Sequence, residues 1–549
     1  MTRRFDWRVL LLALACLAAS TGSTIAAEAF SITGSPSGDT SSLTLSANVQ
    51  VAPGDTGRTG VVYVAANVAG LWAFKGPAGN WALWSGGTFP PPYYSGPLGI
   101  HAIPLADRLD VSALAGTDVY VGYGTDQTDM IGSAKFARIY SVPATSVPVA
   151  RSALARNTSP IVPEADKATL VADNTAFTLD LYRELLGDPA NSASNLFFSP
   201  HSVSIALAMT YAGAKGPTAT EMAGALRFTL PQDRLHPAFD WLDLALMSRG
   251  QGALGKDGQP FRLRVSNSLW GDQASRFETG FLDTLAQNYD AGMNLVDFRS
   301  DPDTGRTRIN AWVAEKTEQR ITGILTPGSV DTLTRLVLVN AVYFNAAWQR
   351  KFAASATASD TFTKLDGSGM RVEMMNQEAL FPYAAGADYQ AIELPYDGGE
   401  LGMVIVLPAA GRFEQFEKSL DAGALKSILA ALRSENVRLS LPKFKIEGGF
   451  GLGATMQNLG MRTAFSGAAD FSGISSDEKL IIKDVIHKGY VDIDENGTEA
   501  AAATAVIAGT TSLPPPPKIF KVDRPFLFAI VDRSTEAIVF WGRVLDPRR

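Results

Sequence analysis

Short alternations of apolar and polar residues, separated by glycine and proline, fill the chain from about residue 30 to 142. The clearest run over residues 43–49, 60–64 and 118–123. Such alternation predicts strands, and short strands bounded by turn residues predict a small all-β sandwich or barrel. Five aromatic residues surround the prolines at 90–92, and we interpret them as a packed core beside a tight turn, with a sugar- or polymer-binding surface as the alternative: Trp72, Trp81, Trp84, Tyr93 and Tyr94.

A proline-containing segment follows. Residues 143–168 hold four prolines among serine, threonine and alanine, which predicts an extended linker. Beyond it, Phe177, Leu181 and Leu185 recur at a spacing of four, which predicts a helix that begins near Asp173 as its N-cap. The Gly-Asp-Pro sequence at 187–189 should end this helix.

Continuous apolar runs distinguish the last part of the chain, about 380 residues long. Runs of this kind predict strands that are covered on both faces. A stripe formed by Ile309, Trp312, Val313 and Lys316 predicts a helix among them. We therefore expect an α+β fold with a dominant sheet, whose buried strands include residues 336–344, 402–408, 525–531 and 538–541.

The first 27 residues have the pattern of a secretory leader. Three arginines precede an apolar run over residues 9–19, and small residues follow up to Ala27. The run is shorter than the ~20 residues that cross a bilayer as a helix. We expect a signal peptide and a secreted or periplasmic protein. Cys16, the only cysteine, offers lipid anchoring as an alternative, although Ala13 stands where a leucine is usual.

These patterns predict four parts: a signal peptide over 1–27, an all-β accessory domain over 28–142, a linker over 143–168 and a large α+β domain over 169–549. The formal net charge of −7 argues against a nucleic-acid partner, which requires a dense basic patch. The four histidines form no HExxH motif, and GxSxG and Walker sequences are absent. We therefore expect no catalytic residue, no metal and no cofactor.

One acidic sequence imitates a metal site. Residues 492–497 match the first half of a calcium-binding loop. The twelfth position, which must supply a bidentate carboxylate, is Ala503. Calcium binding is therefore not expected.

Residues 495–517 have an unusual composition for a loop. Small or apolar residues occupy alternate positions from Thr498 to Ala508, so one face of this segment suits a strand inside a sheet. Glu499 lies on the other face, and no proline occurs between 495 and 513. Four prolines at 514–517 then keep the next segment extended. The segment therefore suits both an exposed loop and a buried strand.

Several motifs together resemble the serpin family of serine protease inhibitors. The sequences at 195–202, 206–209, 213–216 and 520–530 match family signatures, and 339–344 with Trp348 resembles a central strand and the top of the sheet. The resemblance covers the last ~380 residues and leaves the β-rich region as an addition. It implies a serpin fold, with three β-sheets and about eight or nine helices, preceded by a small sandwich-like domain.

The resemblance also implies a mechanism. A protease cleaves the exposed loop and forms an acyl-enzyme, and the cleaved loop then inserts into the main sheet. The hinge of the loop corresponds to Glu495, Gly497, Thr498, Glu499, Ala500, Ala501, Ala502 and Ala503. Insertion of the fourteen residues from 498 to 511 would carry the protease roughly 46 Å. A charge at Thr498 would be costly to bury.

By the same resemblance, the reactive bond joins Thr511 and Ser512, sixteen residues after Glu495. Gly509–Thr510 and Thr510–Thr511 are alternative bonds, and Pro514 counts against cleavage after Leu513. A threonine here resembles bait for elastase-like or subtilisin-like enzymes, whose primary pockets are small to medium. A glycan on the sequon at Asn496 would obstruct insertion, which favours a bacterial exporter.

Four polar residues match the group that lies under the sheet where its strands part in this family: Ser199, Ser202, Asn340 and His487. Their structural interpretation is a satisfied buried hydrogen-bond network, and both interpretations can hold. We expect an exported, monomeric inhibitory serpin that traps a serine protease, with cysteine proteases as a second class of target. The alternatives are a non-inhibitory serpin, or a surface-binding protein whose β domain is the functional module.

Overall fold

The chain forms two compact units, Met1–Ser146 and Val147–Arg549. A computed structural model describes residues 30–37, 43–68, 71–84, 89–109, 111, 114, 117–142, 147–318, 320–321, 323–496 and 516–548.

The first unit is a β-sandwich, as predicted. Its two sheets have the orders β1-β2-β7 and β5-β4-β3-β8-β9, with β6 paired to β3. Valine, leucine and isoleucine side chains from the two sheets form the core. Its elements are β1 (Ser31–Ser37), β2 (Leu43–Gln50), β3 (Thr59–Val68), β4 (Leu71–Lys75), β5 (Trp81–Trp84), β6 (Tyr94–Pro97), β7 (Ile100–Leu109), β8 (Asp118–Gly124), α1 (Gln127–Gly132) and β9 (Phe136–Ser141).

The aromatic residues of this unit are mostly packed. Trp72 and Trp84 lie against a small cluster of apolar side chains that includes Phe74, and the rings of Phe74 and Trp84 are 5.9 Å apart. Tyr93 and Tyr94 pack against the sandwich core. These four residues are partly buried against the two apolar clusters, which agrees with the interpretation as a packed core. Trp81, on strand β5, is 42% exposed.

The second unit mixes helices and strands, which confirms the predicted α+β class. Its elements are β10 (Val149–Ala150), α2 (Glu164–Gly187), β11 (Leu196–Phe198), α3 (Pro200–Tyr211), α4 (Gly216–Ala225), α5 (Gln232–Met247), β12 (Arg262–Asp272), α6 (Thr279–Tyr289), β13 (Met293–Val296), α7 (Pro302–Lys316), β14 (Leu336–Asn345), β15 (Ala358–Thr363), β16 (Gly369–Ala385), β17 (Tyr389–Pro395), β18 (Leu401–Pro408), α8 (Phe413–Ser419), α9 (Ala422–Ala431), β19 (Arg433–Pro442), β20 (Phe444–Gly451), α10 (Gly453–Asn458), β21 (Val485–Ile493), β22 (Lys518–Lys521), β23 (Phe526–Asp532) and β24 (Ile538–Val544).

We call the sheet with the order β10-β13-β12-β14-β21-β20 the central sheet. Every residue of β14 is buried, as its continuous apolar run predicts. Ile309 and Val313 of α7 pack on one face of the sheet with Val339 of β14. On the other face, Leu338 and Val342 belong to the main core of the unit. The predicted apolar stripe of α7 is therefore confirmed.

A second sheet has the order β11-β24-β23-β18-β17-β16-β19-β22, with β15 paired to β16. Strand β16 is 17 residues long and pairs with β19 over Met374–Tyr383 and with β17 over Tyr383–Ala385. Because β16 pairs with both β19 and β17, two of the three sheets that the family resemblance implies form one continuous sheet here.

The start of the large domain differs from the prediction. Helix α2 begins at Glu164, after Pro163, so Asp173 is inside the helix and is not its N-cap. The Asp173 carboxylate instead accepts hydrogen bonds from the backbone N–H and the hydroxyl of Thr229, at 2.9 and 2.8 Å. Glu164 and Asp166 supply the negative charge that favours a helix N-terminus. The end of α2 at Gly187 agrees with the prediction.

The described part of the linker expected over 143–168 is attached to the second unit. Strand β10 pairs with β13, at the edge of the central sheet. Arg156 forms ion pairs with Asp240, at 2.8 Å, and with Asp243, at 2.6 Å. These contacts join the segment to helix α5 and to the central sheet, although its proline content alone predicts an extended linker.

Candidate functional site

The candidate site lies where β14 and β21 meet in the central sheet. These strands are parallel neighbours, paired from Leu338↔Val485 to Tyr343↔Tyr490. Strand β21 ends at Ile493, and the chain is described as far as Asn496 and again from Pro516, just before β22. Strand β22 is paired with β19 in the second sheet. The unusual segment found in the sequence therefore starts at the central sheet and ends at another sheet.

A buried polar network lies under this strand pair. Asn340 of β14 stands opposite His487 of β21, and its side-chain oxygen contacts the imidazole Nδ1. The Ser199 backbone N–H donates to His487 Nε2 at 3.1 Å, and the Ser199 hydroxyl donates to the Val539 carbonyl at 2.7 Å. The amide of Asn340 donates to the hydroxyl of Ser202. The structure thus brings the four predicted residues together.

Asn267 of β12 is a fifth member of this network, which sequence reasoning missed. It accepts hydrogen bonds from the Ser202 hydroxyl, at 2.8 Å, and from the Asn340 amide. Strand pairing places Asn267 opposite Asn340. The only signal in the sequence is an amide within a strand, and its partner depends on a register that the sequence does not show.

The network requires a neutral His487. Its Nε2 accepts a hydrogen bond, so the proton must be on Nδ1, which donates to Asn340. The side chain is fully buried, and burial lowers its pKa to about 3. An imidazolium ion would carry a second proton on Nε2, where it would face the Ser199 backbone N–H, which is also a donor. The site is therefore a hydrogen-bonded junction between strands whose imidazole is neutral at physiological pH.

The C-terminal end of β21 is fixed from several directions. The indole N–H of Trp348 donates to the Asp494 carbonyl at 3.0 Å, and the Trp348 ring stacks on Tyr396 at 4.7 Å. The Glu495 carboxylate forms an ion pair with Lys443 at 2.7 Å and accepts a hydrogen bond from Thr357 at 2.7 Å. Burial alone would raise the pKa of Glu495, but these bonds outweigh it and lower the pKa.

Most of the predicted loop lies outside the described residues. This holds for the hinge residues after Glu495 and for the predicted reactive bond: Gly497, Thr498, Glu499, Ala500, Ala501, Ala502, Ala503, Thr511 and Ser512. The roles assigned to them stay predictions. The structure fixes the two ends between which they run.

The acidic residues that imitate a calcium loop have another partner. Asp492 lies in strand β21, and the Lys256 ammonium lies 2.7 Å from its carboxylate and 3.1 Å from that of Asp494. A lysine therefore supplies the positive charge beside both carboxylates.

Among the helices of the described residues, none is long and apolar enough to cross a membrane.

Comparisons with known proteins agree with this architecture. The sequence profile of the family described as serpin (serine protease inhibitor) matches residues 172–547. An uncharacterized serpin-like protein of Thermococcus kodakarensis is 41% identical over 424 residues, which are 76% of this chain and 95% of that protein. The leukocyte elastase inhibitor of Bos taurus is 39% identical over 387 residues, which are 69% of this chain and 99% of that protein.

Solved structures show the same fold. Uncleaved ovalbumin matches with a TM-score of 0.61 at 27% identity, over 69% of this chain and 100% of ovalbumin. The thermophilic serpin tengpin, in its native state, matches with a TM-score of 0.61 at 29% identity, over 73% of this chain and 100% of tengpin. The chain therefore belongs to the serpin family.

Proposed function

We propose that this chain is an exported inhibitory serpin, which traps a serine protease as a covalent acyl-enzyme. The observation that carries the proposal is the direct parallel pairing of β14 and β21. A segment that leaves the C-terminal end of β21 and turns back runs antiparallel to β21. Because β14 is parallel to β21, the same segment would also run antiparallel to β14. One parallel ladder would thus be replaced by two antiparallel ladders, which are slightly more stable per residue.

The sequence after β21 suits this insertion. Side chains facing the core would come from alternate positions of 498–508, and these are threonine, alanine or valine. Such side chains enter a covered sheet without an unpaired buried charge. The segment contains no proline before residue 514, so its N–H groups can join both ladders.

Inhibition would follow from displacement of the acyl-enzyme. Movement by a strand length pulls the catalytic groups of the protease out of register, and a displacement near 1 Å can already cost ~10²-fold in rate. Serpin family members are protease inhibitors, and the trap needs no catalytic residue from this chain. The name of the bovine relative describes an elastase inhibitor, which supports elastase-like or subtilisin-like targets. Thr511–Ser512 is the proposed cleaved bond because of its spacing from Glu495.

The test is incubation of the full chain with elastase or subtilisin, analysed on denaturing gels and by mass spectrometry. The expected result is a complex that survives SDS and cleavage after Thr511. Cleavage without a complex would identify a non-inhibitory serpin. Thr498→Arg provides the matched control, because it blocks insertion and leaves the cleaved bond intact.

A further inference from the structure

A hairpin over residues 254–260 lies at the C-terminal ends of β14 and β21. It immediately precedes β12, and the Gly255 N–H donates to the Gln259 carbonyl at 2.7 Å across its turn. Gly258 in this turn has a φ of +75°, a conformation that favours glycine. We call this segment the 254–260 hairpin.

The hairpin is fixed to the β14 side of the sheet. The Lys256 backbone N–H donates to the Asn345 side-chain oxygen at 2.7 Å, and the Asn345 amide donates to the Asp257 carboxylate at 3.3 Å. The Ala347 N–H donates to the Leu254 carbonyl at 3.0 Å. Because Asn345 is the last residue of β14, the hairpin should move with that strand.

The side chain of Lys256 reaches the neighbouring strand. Its ammonium lies 2.7 Å from the Asp492 carboxylate and 3.1 Å from that of Asp494, and it donates to the Asp492 carbonyl at 3.2 Å. Backbone pairing between β14 and β21 ends at Tyr343↔Tyr490. Lys256 therefore joins the two strands beyond their last backbone pair, where an inserting segment must enter first.

The environment strengthens this contact. The Lys256 side chain is 22% exposed, and those of Asp492 and Asp494 are 33% and 28% exposed. Burial alone would lower the pKa of Lys256, but the two carboxylates outweigh it and raise the pKa. The ammonium therefore stays charged at neutral pH. One cation held between two carboxylates at partial burial contributes more than an isolated surface pair.

Insertion cannot preserve all of these bonds. A new strand moves β21 about 4.8 Å further from β14. Either the ammonium leaves the two aspartates, or the hairpin leaves Asn345. We propose that Lys256 is a positioning residue that holds the insertion end of the central sheet closed and thereby limits the rate of strand insertion. This inference rests on the proposed function, and it adds a residue that sets the rate of its conformational step.

The experiment measures annealing of a synthetic peptide with the sequence of residues 498–511 to the full, uncleaved chain. Annealing is followed by native gel and by the rise in melting temperature. Lys256→Met should accelerate annealing about tenfold, which corresponds to ~1.4 kcal/mol of activation free energy. Lys256→Arg should stay close to wild type. Lys445→Met is the matched control, because Lys445 faces Asp492 from β20 and does not bridge the gap.

Two further measurements make the result specific. Asp492→Asn should accelerate annealing as Lys256→Met does, which covers the case in which one variant folds poorly. Raising the salt concentration should reduce the ratio of the Lys256→Met rate to the wild-type rate, because salt screens the ion pairs. Equal rates for wild type, Lys256→Met and Asp492→Asn would overturn the role of Lys256 and leave the proposed function intact. Absence of annealing in every form, wild type included, would overturn the proposed function itself.

Discussion

Protonation of His487 should open the central sheet. In the closed sheet the pKa of this histidine is lowered to about 3, from an ordinary value of 6.5. Once the strands part, water can reach the ring and its pKa returns toward 6.5. A group whose pKa is lowered in the closed state stabilises that state fully above pH 6.5. The stabilisation is lost progressively as the pH falls toward about 3.

The size of the effect follows from linkage. Each pH unit below 6.5 removes at most ~1.4 kcal/mol of preference for the closed sheet. Acidification from pH 6.5 to 5.0 should therefore accelerate peptide annealing by up to about 16-fold, because half of the open-state histidine is already protonated at pH 6.5. His201 and His236 also have pKa values lowered to about 4 by burial. The pH dependence of global unfolding would therefore combine the effects of all three histidines and would not report on His487 alone.

The assay measures annealing rates of the 498–511 peptide between pH 7.5 and 5.0 for wild type, His487→Gln and His236→Gln. Wild type should accelerate on acidification. His487→Gln should anneal rapidly at every pH, because it loses a buried hydrogen bond and the titrating group together. His236 bonds to Tyr289 away from the strand pair, so His236→Gln should keep the wild-type profile. If His487→Gln keeps the wild-type pH profile, a group other than His487 controls the opening of the sheet.

Three further outcomes are expected. Lys443→Met leaves the buried Glu495 carboxylate without its cation. The variant should lose about 1–3 kcal/mol of unfolding free energy, and its melting temperature should fall by several degrees in calorimetry. Lys445→Met should melt as wild type does. Thr498→Arg should convert an inhibitor into a substrate, seen as a cleaved band without complex on a denaturing gel; a retained complex would contradict the hinge assignment. Thr511→Arg should redirect inhibition from elastase to trypsin in residual-activity assays, and continued inhibition of elastase alone would place the reactive bond elsewhere.

Local patterns predicted the parts of the fold that depend on local chemistry. The continuous apolar run of β14 indicated a strand covered on both faces, and its ten residues are all buried. The start of α2 was wrong because an aspartate before an apolar stripe suits an N-cap equally well whether its partner is local or distant. Asp173 bonds to Thr229, which lies 56 residues further along the chain.

The candidate site was predictable where family signatures supply its residues, as for Asn340 and His487. Long-range partners were not predictable. Asn267 joins the network only through the register between β12 and β14, and Lys256 meets Asp492 across 236 positions of sequence. No periodicity in the chain encodes such pairings, because they depend on how the strands are ordered in the sheet.

The attachment of residues 147–163 has a practical consequence for expressing the second unit alone. The family profile begins at residue 172, but a fragment cut there would lack Arg156. Asp240, whose side chain is 0% exposed, would then keep a buried carboxylate without its guanidinium, and breaking such a pair costs ~3–5 kcal/mol. The fragment would also lose β10 and expose the edge of β13 to pairing with other molecules. A soluble fragment should therefore begin at or before Val147.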